Sequence, residues 1–419
     1  MKNRELEKSF VTSISFGTII VGCSKLLNFI LKILVSRLGV VNFSDYYLAT
    51  STFSGLTTIT ALGVPMSTTR YISFFVGKNR PKDAHNTITS ALTITLLSSL
   101  IAAVALYAGA QYLSDAIGAP HATVYFHILS FGLVGATITL LSRAVFLGYK
   151  RIQLAYAAEA IEVGLKFIFT VTGILILGWG VFWALIGYAI GTIVASSINA
   201  IILINVTNIK HVTPKITSEF LRFALPVSAS EIVTSAASVV LLYIVRLQSG
   251  AEMIGFYGAA VSIAALIHVI PQMIFSIFLP TASELYAQKK PILPIYKTLL
   301  LWLCIVVFLP GVVLFALSTH VTSLIFGHSY VSAAPILSIL VVAYSLYTIL
   351  VWPNRQILDM AGYTKENLCL TVLRVSVTII SLCVIFPEFS GIGLAKSMLL
   401  GWTGEAVGSL ILVKRKRLI

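Results

Sequence analysis

Twelve apolar stretches of membrane-spanning length follow one another along this chain. They fall near 9–36, 41–66, 87–110, 121–147, 153–178, 181–206, 219–246, 252–281, 295–318, 331–353, 367–386 and 391–413. About 20 apolar residues cross a bilayer as a helix. Backbone polar groups within lipid must bond inside their own segment, which makes each stretch a helix rather than a strand. Several stretches exceed 20 residues, so tilt or extension past the hydrocarbon is expected. Only 11% of the residues are charged while 58% are hydrophobic. Soluble domains carry about 25% charge, so a water-soluble surface is excluded. The fold class expected is an all-α polytopic membrane bundle of about 12 transmembrane helices.

The charges orient the bundle. The formal net charge of +14 would by itself suggest a nucleic-acid partner, but the placement of the charges argues against it. Of 29 basic residues, 22 lie at the N-terminus, at the C-terminus, or in and beside the loops near 67–86, 148–152, 207–218, 282–294 and 354–366. The intervening loops, near 37–40, 111–120, 179–180, 247–251, 319–330 and 387–390, have only Arg37 and Arg246 at their edges. The positive-inside rule then places both termini in the cytoplasm of a multi-pass protein of the cytoplasmic (inner) cell membrane. The basic tail Lys414 to Arg417 reads as a topology anchor or as a contact for anionic lipid. Cys23, Cys304, Cys369 and Cys383 show no CxxC spacing and read as small buried hydrophobes. The first apolar stretch has no small-residue cleavage pattern and is expected to be a retained span.

The chain also matches itself at an offset near 210. Arg37-Leu38 pairs with Arg246-Leu247, Tyr46-Tyr47 with Phe256-Tyr257, Arg80-Pro81 with Lys290-Pro291, and Gly148-Tyr149-Lys150-Arg151 with Gly362-Tyr363-Thr364-Lys365. The common order predicts two pseudo-symmetric six-helix lobes, 1–206 and 219–419, joined by a cytoplasmic linker at 207–218. Six spans per half preserve orientation, giving a parallel repeat of the kind that places a substrate path between lobes.

No loop is long enough for a soluble domain, so function must reside in the bundle. Ionisable residues inside spans cost at least ~2.5–3.5 kcal/mol on insertion scales and are functional candidates by default. Lys25 lies roughly 24 Å into the first span at 1.5 Å per residue. Lys25, Asn28 and Lys32 follow i, i+3, i+7, with Ser15 and Thr18 on the same side, forming one polar stripe expected to face an inter-lobe cavity. Lys166 and Glu162 are i, i+4, which fits a self-neutralising pair as well as a functional one. Arg374 and Lys396 sit nearer span ends. Glu231 and Glu405 either pair across helices or titrate, and with Glu162 they are the candidates to carry a coupling ion, H+ or Na+. Arg37 and Arg246 are gating candidates. The interior leans basic, which suits phosphate or pyrophosphate, with Lys25, Asn28, Lys32, Lys166 and Arg374 as the candidate residues that hold it. Hydroxyls from Thr50 to Thr60 suit sugar hydroxyls or bond their own helix. Gly187-x-x-x-Gly191 and Gly404-x-x-x-Gly408 are close-packing patterns, and Pro226, Pro271 and Pro310 are expected to kink spans. His268 has no ligand-spaced partner, so no metal is expected. Neither a phosphate-binding Gly loop nor a nucleophile elbow is present, so the chain reads as no enzyme and needs no cofactor.

The run Ser36-Arg37-Leu38-Gly39, Phe43 to Tyr47, Ala61-Leu62-Gly63 and Arg70-Tyr71 resembles the opening of the polysaccharide-exporter and O-antigen flippase family. Phe223-Ala224-Leu225-Pro226, Arg246, Gly255-Phe256-Tyr257 and Leu279-Pro280 carry the likeness into the second half. That family belongs with the multidrug/oligosaccharidyl-lipid/polysaccharide (MOP) exporters. The resemblance implies translocation of a polyprenyl-(pyro)phosphate-linked oligosaccharide to the outer leaflet by alternating access, for cell-surface polysaccharide biosynthesis. It implies membrane lipids, and glycosyltransferases or a polymerase of the same pathway, as partners. The related lipid II flippases use cations in the first span, a role Lys25 and Lys32 would take here. Two alternatives stand beside it: a cation-coupled multidrug exporter of the same superfamily, and a membrane-embedded glycan polymerase or ligase.

Overall fold

A computed structural model describes residues 2–176, 178, 180–207, 218–272, 274, 275, 278, 291–416 and 418, with side chains from residue 19 onward except 218–223 and 360. The interior of the 207–218 linker, Lys289-Lys290, Leu279-Pro280 and the side chains of Ser15 and Thr18 lie outside the described residues. No strand occurs among the described residues. Helices run as α1 (Lys2–Ser36), α2 (Val40–Ala61), α3 (Val64–Gly77), α4 (Pro81–Ala116), α5 (Ala122–Gly148), α6 (Ile152–Leu175), α7 (Gly180–Thr207) and α8 (Ser218–Ala264). They continue as α9 (Leu293–Ala316), α10 (Ser318–Phe326), α11 (Ala334–Leu346), α12 (Trp352–Met360), α13 (Thr364–Val384) and α14 (Gly391–Arg415).

Eight helical stretches are long and apolar enough by length and composition alone to cross a membrane. One of them, 224–272, contains a break at Gly250 (φ 82°, ψ 180°), so two spans of the twelve meet there with a single non-helical residue as their connection. Three further expected spans fall short for physical reasons. α2 is rich in hydroxyls, α6 carries Glu159, Glu162 and Lys166, and α14 carries Lys396 and Glu405. Long apolar faces remain uncovered, including Leu301, Ile305, Phe308 and Leu309 on α9 and Leu97, Leu100, Ile101 and Val104 on α4. Apolar patches of that extent are unstable in water and match lipid. The chain is a multi-pass α-helical membrane protein.

Several expected loops are helical. Residues 67–86 hold α3 and the start of α4, and 319–330 hold most of α10 and a 3-10 turn, His328–Ala333. The charged and hydroxyl residues that made these stretches read as loops sit on short helices instead. The four cysteines are exposed, not buried. Where lipid is the solvent, a small apolar thiol loses nothing by facing outward.

Two compact units emerge. The first comprises residues 1–38 and 48–239, the second 39–47 and 240–419. In the first, α6 and α7 pack most extensively, with α5 against both and α1 against α6. Its core joins Val64 and Ile72 of α3, Ile88 of α4, Leu141, Val145 and Phe146 of α5, Ala155 and Ala158 of α6, and Leu203 of α7. In the second, α14 packs on α13 and α11, and α9 on α11. Its core gathers Tyr296, Leu299 and Leu303 of α9 with Ile357, Leu358, Leu370 and Val413.

The Gly187/Gly191 pattern explains the α6–α7 approach. A Cβ on Gly191 would lie 2.6 Å from Lys166 Cα, and one on Gly187 would lie 2.3 Å from the Phe169 carbonyl oxygen. Backbone cannot yield as a flexible side chain does. Gly191→Ala is therefore expected to force α6 and α7 apart at a cost of about 1–3 kcal/mol, read as a lowered thermal midpoint of the purified protein. Pro226 and Pro310 lie inside α8 and α9.

Candidate functional site: membrane-embedded charge clusters

In the first unit, α1, α5 and α6 bring together a chain of charges. Arg143 Nη2 donates to Glu159 Oε2 at 2.5 Å. Lys25 Nζ lies 3.9 Å from the other oxygen of the same carboxylate. Glu159 is thus shared, and its tight partner is Arg143. The Lys25 side chain remains 43% exposed while that of Glu159 is nearly buried. One turn along α6, Lys166 Nζ donates to Glu162 Oε1 at 2.5 Å and to Tyr188 Oη at 3.3 Å. The same ammonium lies 4.5 Å from the Tyr188 ring centroid and 5.9 Å from that of Phe53. Lys166 is buried, with its charge offset by a carboxylate and two aromatic faces. Asn28 and Lys32 lie further along α1, both partly exposed.

Glu231, on the part of α8 within the first unit, accepts a hydrogen bond from the Gly63 main-chain N–H. Ser228 of the same helix donates to the Leu62 carbonyl. Gly63 holds the left-handed turn between α2 and α3 (φ 60°), and a Cβ there would lie 2.9 Å from Ser228 N. A side chain would therefore displace the contact that positions Glu231.

In the second unit, Glu405 is fully buried and shared by two arginines. Arg355 Nη1 donates to Oε1 at 2.9 Å, and Arg374 Nε lies 3.6 Å from Oε2. Arg246 forms a separate buried pair, with Nη2 2.9 Å from Asp45 Oδ1 and Nη1 donating to Ser44 Oγ at 2.8 Å. Lys396 lies over the Phe386 ring at 5.3 Å. Arg37 is exposed just past the end of α1. Among the described residues, no group of His, Cys, Asp or Glu is arranged to hold a metal ion.

The i, i+4 spacing pairs Glu162 with Lys166 as the structure does, whereas the surroundings of Lys25 are not legible in sequence. Arg143 and Arg355 count as cytoplasmic loop-edge charges in sequence, yet they occupy α5 and α12 and hold Glu159 and Glu405. Asp45, an acid on an apolar helix, was the available signal for the partner of Arg246. Of the α2 hydroxyls, Thr52, Thr57, Thr58 and Thr60 bond carbonyls of their own helix.

The geometry is that of a multi-pass helical bundle with ion-paired carboxylates and half-exposed cations carried on its helices. The chain belongs to the polysaccharide biosynthesis protein family, whose model matches residues 10–286. No curated protein matches the sequence. Solved structures share the fold. The inward-facing conformation of a multidrug resistance MATE family transporter of the MOP superfamily aligns with a TM-score of 0.77 at 17% identity, covering 94% of each chain. An outward-facing conformation of such a transporter aligns at 0.71 and 19% identity, covering 98% of this chain and 96% of that one. A MOP superfamily transporter from Pyrococcus furiosus, described as having a binding pocket of reversed polarity that suggests a different function, aligns with the same values.

Proposed function

We propose that the protein is a flippase that moves a polyprenyl-(pyro)phosphate-linked oligosaccharide from the inner to the outer leaflet of the cytoplasmic membrane by alternating access. The observation that carries this reading is Lys25. It is a membrane-embedded ammonium, half exposed, whose nearest carboxylate already has a tighter partner in Arg143. Among the embedded residues of α1, α5 and α6, four cations (Lys25, Lys32, Arg143, Lys166) stand against two acids (Glu159, Glu162). A surplus of that sign is costly in lipid without a compensating anion. A phosphate supplies one, and charge-assisted hydrogen bonds to its oxygens are short and strong. The family's connection to polysaccharide biosynthesis supports a glycan as the cargo. Glycosyltransferases or a polymerase of the same pathway would supply and use it.

Lys25, with Asn28 and Lys32 on the same helix face, holds the phosphate in this reading. Lys166 keeps Glu162 neutralised, and Arg374 belongs to the Glu405 cluster. Coupling to H+ or Na+ falls to Glu231, which has no cation partner among the described residues. Arg37, just past the end of α1, and Arg246, shortly before the Gly250 break, are the gating candidates in this reading. Both termini face the cytoplasm, following the charge alternation of the loops. The transport is a movement of cargo with no bond made or broken.

A second reading is a cation-coupled multidrug exporter, favoured by the fold shared with MATE transporters. Ligand-induced thermal stabilisation separates the two. A polyprenyl pyrophosphate is expected to raise the unfolding midpoint of the purified protein in lipid nanodiscs, and tetraphenylphosphonium to leave it unchanged. The reverse pattern supports the exporter.

A further inference from the structure

The second unit contains a cluster that binding of a phosphate does not use. Between α11 and α12 the chain forms a π-turn, Tyr347–Val351. Such insertions interrupt the regular hydrogen-bond ladder and concentrate at functional sites. Aromatic rings collect around it. The His268 ring lies 4.8 Å from Tyr344, 5.5 Å from Tyr347 and 5.7 Å from Trp352 between centroids. Trp402 lies 5.1 Å from both Tyr344 and Tyr347. His268, Tyr344, Tyr347 and Trp352 are each partly exposed, with Trp352 backed by Phe275 of the core at 4.4 Å between ring centroids.

The hydrogen bonds fix the histidine's chemistry. Thr348 Oγ1 donates its one proton to the Tyr344 carbonyl at 2.7 Å. Its 2.6 Å contact with His268 Nδ1 then requires Nδ1–H as the donor. In the neutral imidazole the other nitrogen, Nε2, keeps its lone pair. No donor from the described residues meets it. An acceptor beside aromatic faces asks for a ligand with an apolar face and a donor at its rim.

Two chemical classes stack on aromatic rings: organic cations, through the negative ring face, and sugars, through the C–H face of the pyranose. Charge decides between them. Arg355, Arg374, Glu405 and Asp359 all lie within electrostatic reach of Tyr347. The two arginines offset the two carboxylates, so no negative surplus draws a cation. We infer that the His268–Tyr344–Tyr347–Trp352 cluster is a sugar-binding subsite, where Tyr347 and Trp352 stack on a pyranose ring and His268 Nε2 accepts a hydrogen bond from one of its hydroxyls. The inference rests on the reading of the protein as a carrier of lipid-linked glycans and assigns the glycan end of that cargo.

The test compares binding of bare polyprenyl pyrophosphate with the same lipid carrying N-acetylglucosamine, glucose, galactose or mannose. The protein is in lipid nanodiscs, and Trp352 and Trp402 fluorescence is the readout. At least one sugar-bearing lipid is expected to bind about tenfold tighter than the bare lipid, the scale of one well-placed hydrogen bond to a hydroxyl plus stacking. His268→Phe keeps the aromatic volume and should abolish that gain while leaving bare-lipid binding unchanged. His268→Gln restores an acceptor and should recover part of it. Tyr347→Leu should also lose the gain. The inference is overturned if no sugar-bearing lipid shows a gain in the unaltered protein, or if the gain survives both His268→Phe and Tyr347→Leu. Failure of the bare lipid to bind, with a His268-dependent sugar response intact, would instead remove the phosphate reading and leave the subsite.

Discussion

Lys25→Ala is expected to lower transport of a lipid-linked glycan at least tenfold, with Lys25→Arg retaining most of it. The ammonium is half exposed and holds Glu159 only at 3.9 Å. Its removal therefore leaves the Arg143–Glu159 pair intact, and folding should be little changed. On the proposed reading, what disappears is a charge-assisted contact to the cargo, worth about a factor of ten or more in binding. Arginine restores the charge and adds a fork suited to phosphate oxygens. Cell-surface glycan export in a strain dependent on the protein measures the loss, and the unfolding midpoint of the purified variant separates it from misfolding. Unchanged export by Lys25→Ala would remove Lys25 from the transport path.

The second large effect falls on stability. Glu405→Gln leaves Arg355 and Arg374 together without the carboxylate that both use. Breaking a buried ion pair by removing one partner costs about 3–5 kcal/mol, because the remaining charge is left uncompensated. A clear fall in the thermal midpoint is the expected result. Arg374→Gln added to Glu405→Gln should recover part of the loss, since one of the two stranded cations is removed. Equal midpoints for Glu405→Gln and the unaltered protein would show that the cluster carries no structural load.

The all-helical, multi-pass class is legible because lipid imposes a strong and local rule: every span must be apolar and about 20 residues long. The rule also explains the departures. α3 and α10 hide in stretches that read as loops, because these short helices carry the polar residues of a loop. Gly250 compresses an expected five-residue connection to one non-helical residue, since two helices in sequence need only a break in φ and ψ to change direction. Within the site, the i, i+4 spacing of Glu162 and Lys166 was sufficient to pair them. Arg143 with Glu159, Arg246 with Asp45, and Arg355 with Glu405 are contacts between different helices. Only the packing of α5 on α6, of α8 against the start of α2, and of α12 against α14 brings them together. A charge a few residues inside a helix end looks in sequence like a loop-edge anchor, as Arg143 and Arg355 do. His268 looked inert for a related reason. Its partners, Tyr344, Thr348 and Trp352, lie some 80 residues away along the chain, and the π-turn that gathers them has no sequence period of its own.

The most direct test of the central claim is leaflet exchange in proteoliposomes. The purified protein is reconstituted with a fluorescent polyprenyl-pyrophosphate-linked oligosaccharide, and appearance of the glycan in the opposite leaflet is followed beside efflux of an organic cation. The account predicts protein-dependent glycan movement that falls with Lys25→Ala, and cation efflux no faster than from empty vesicles. Protein-dependent efflux of the cation with the glycan left in its original leaflet would contradict it.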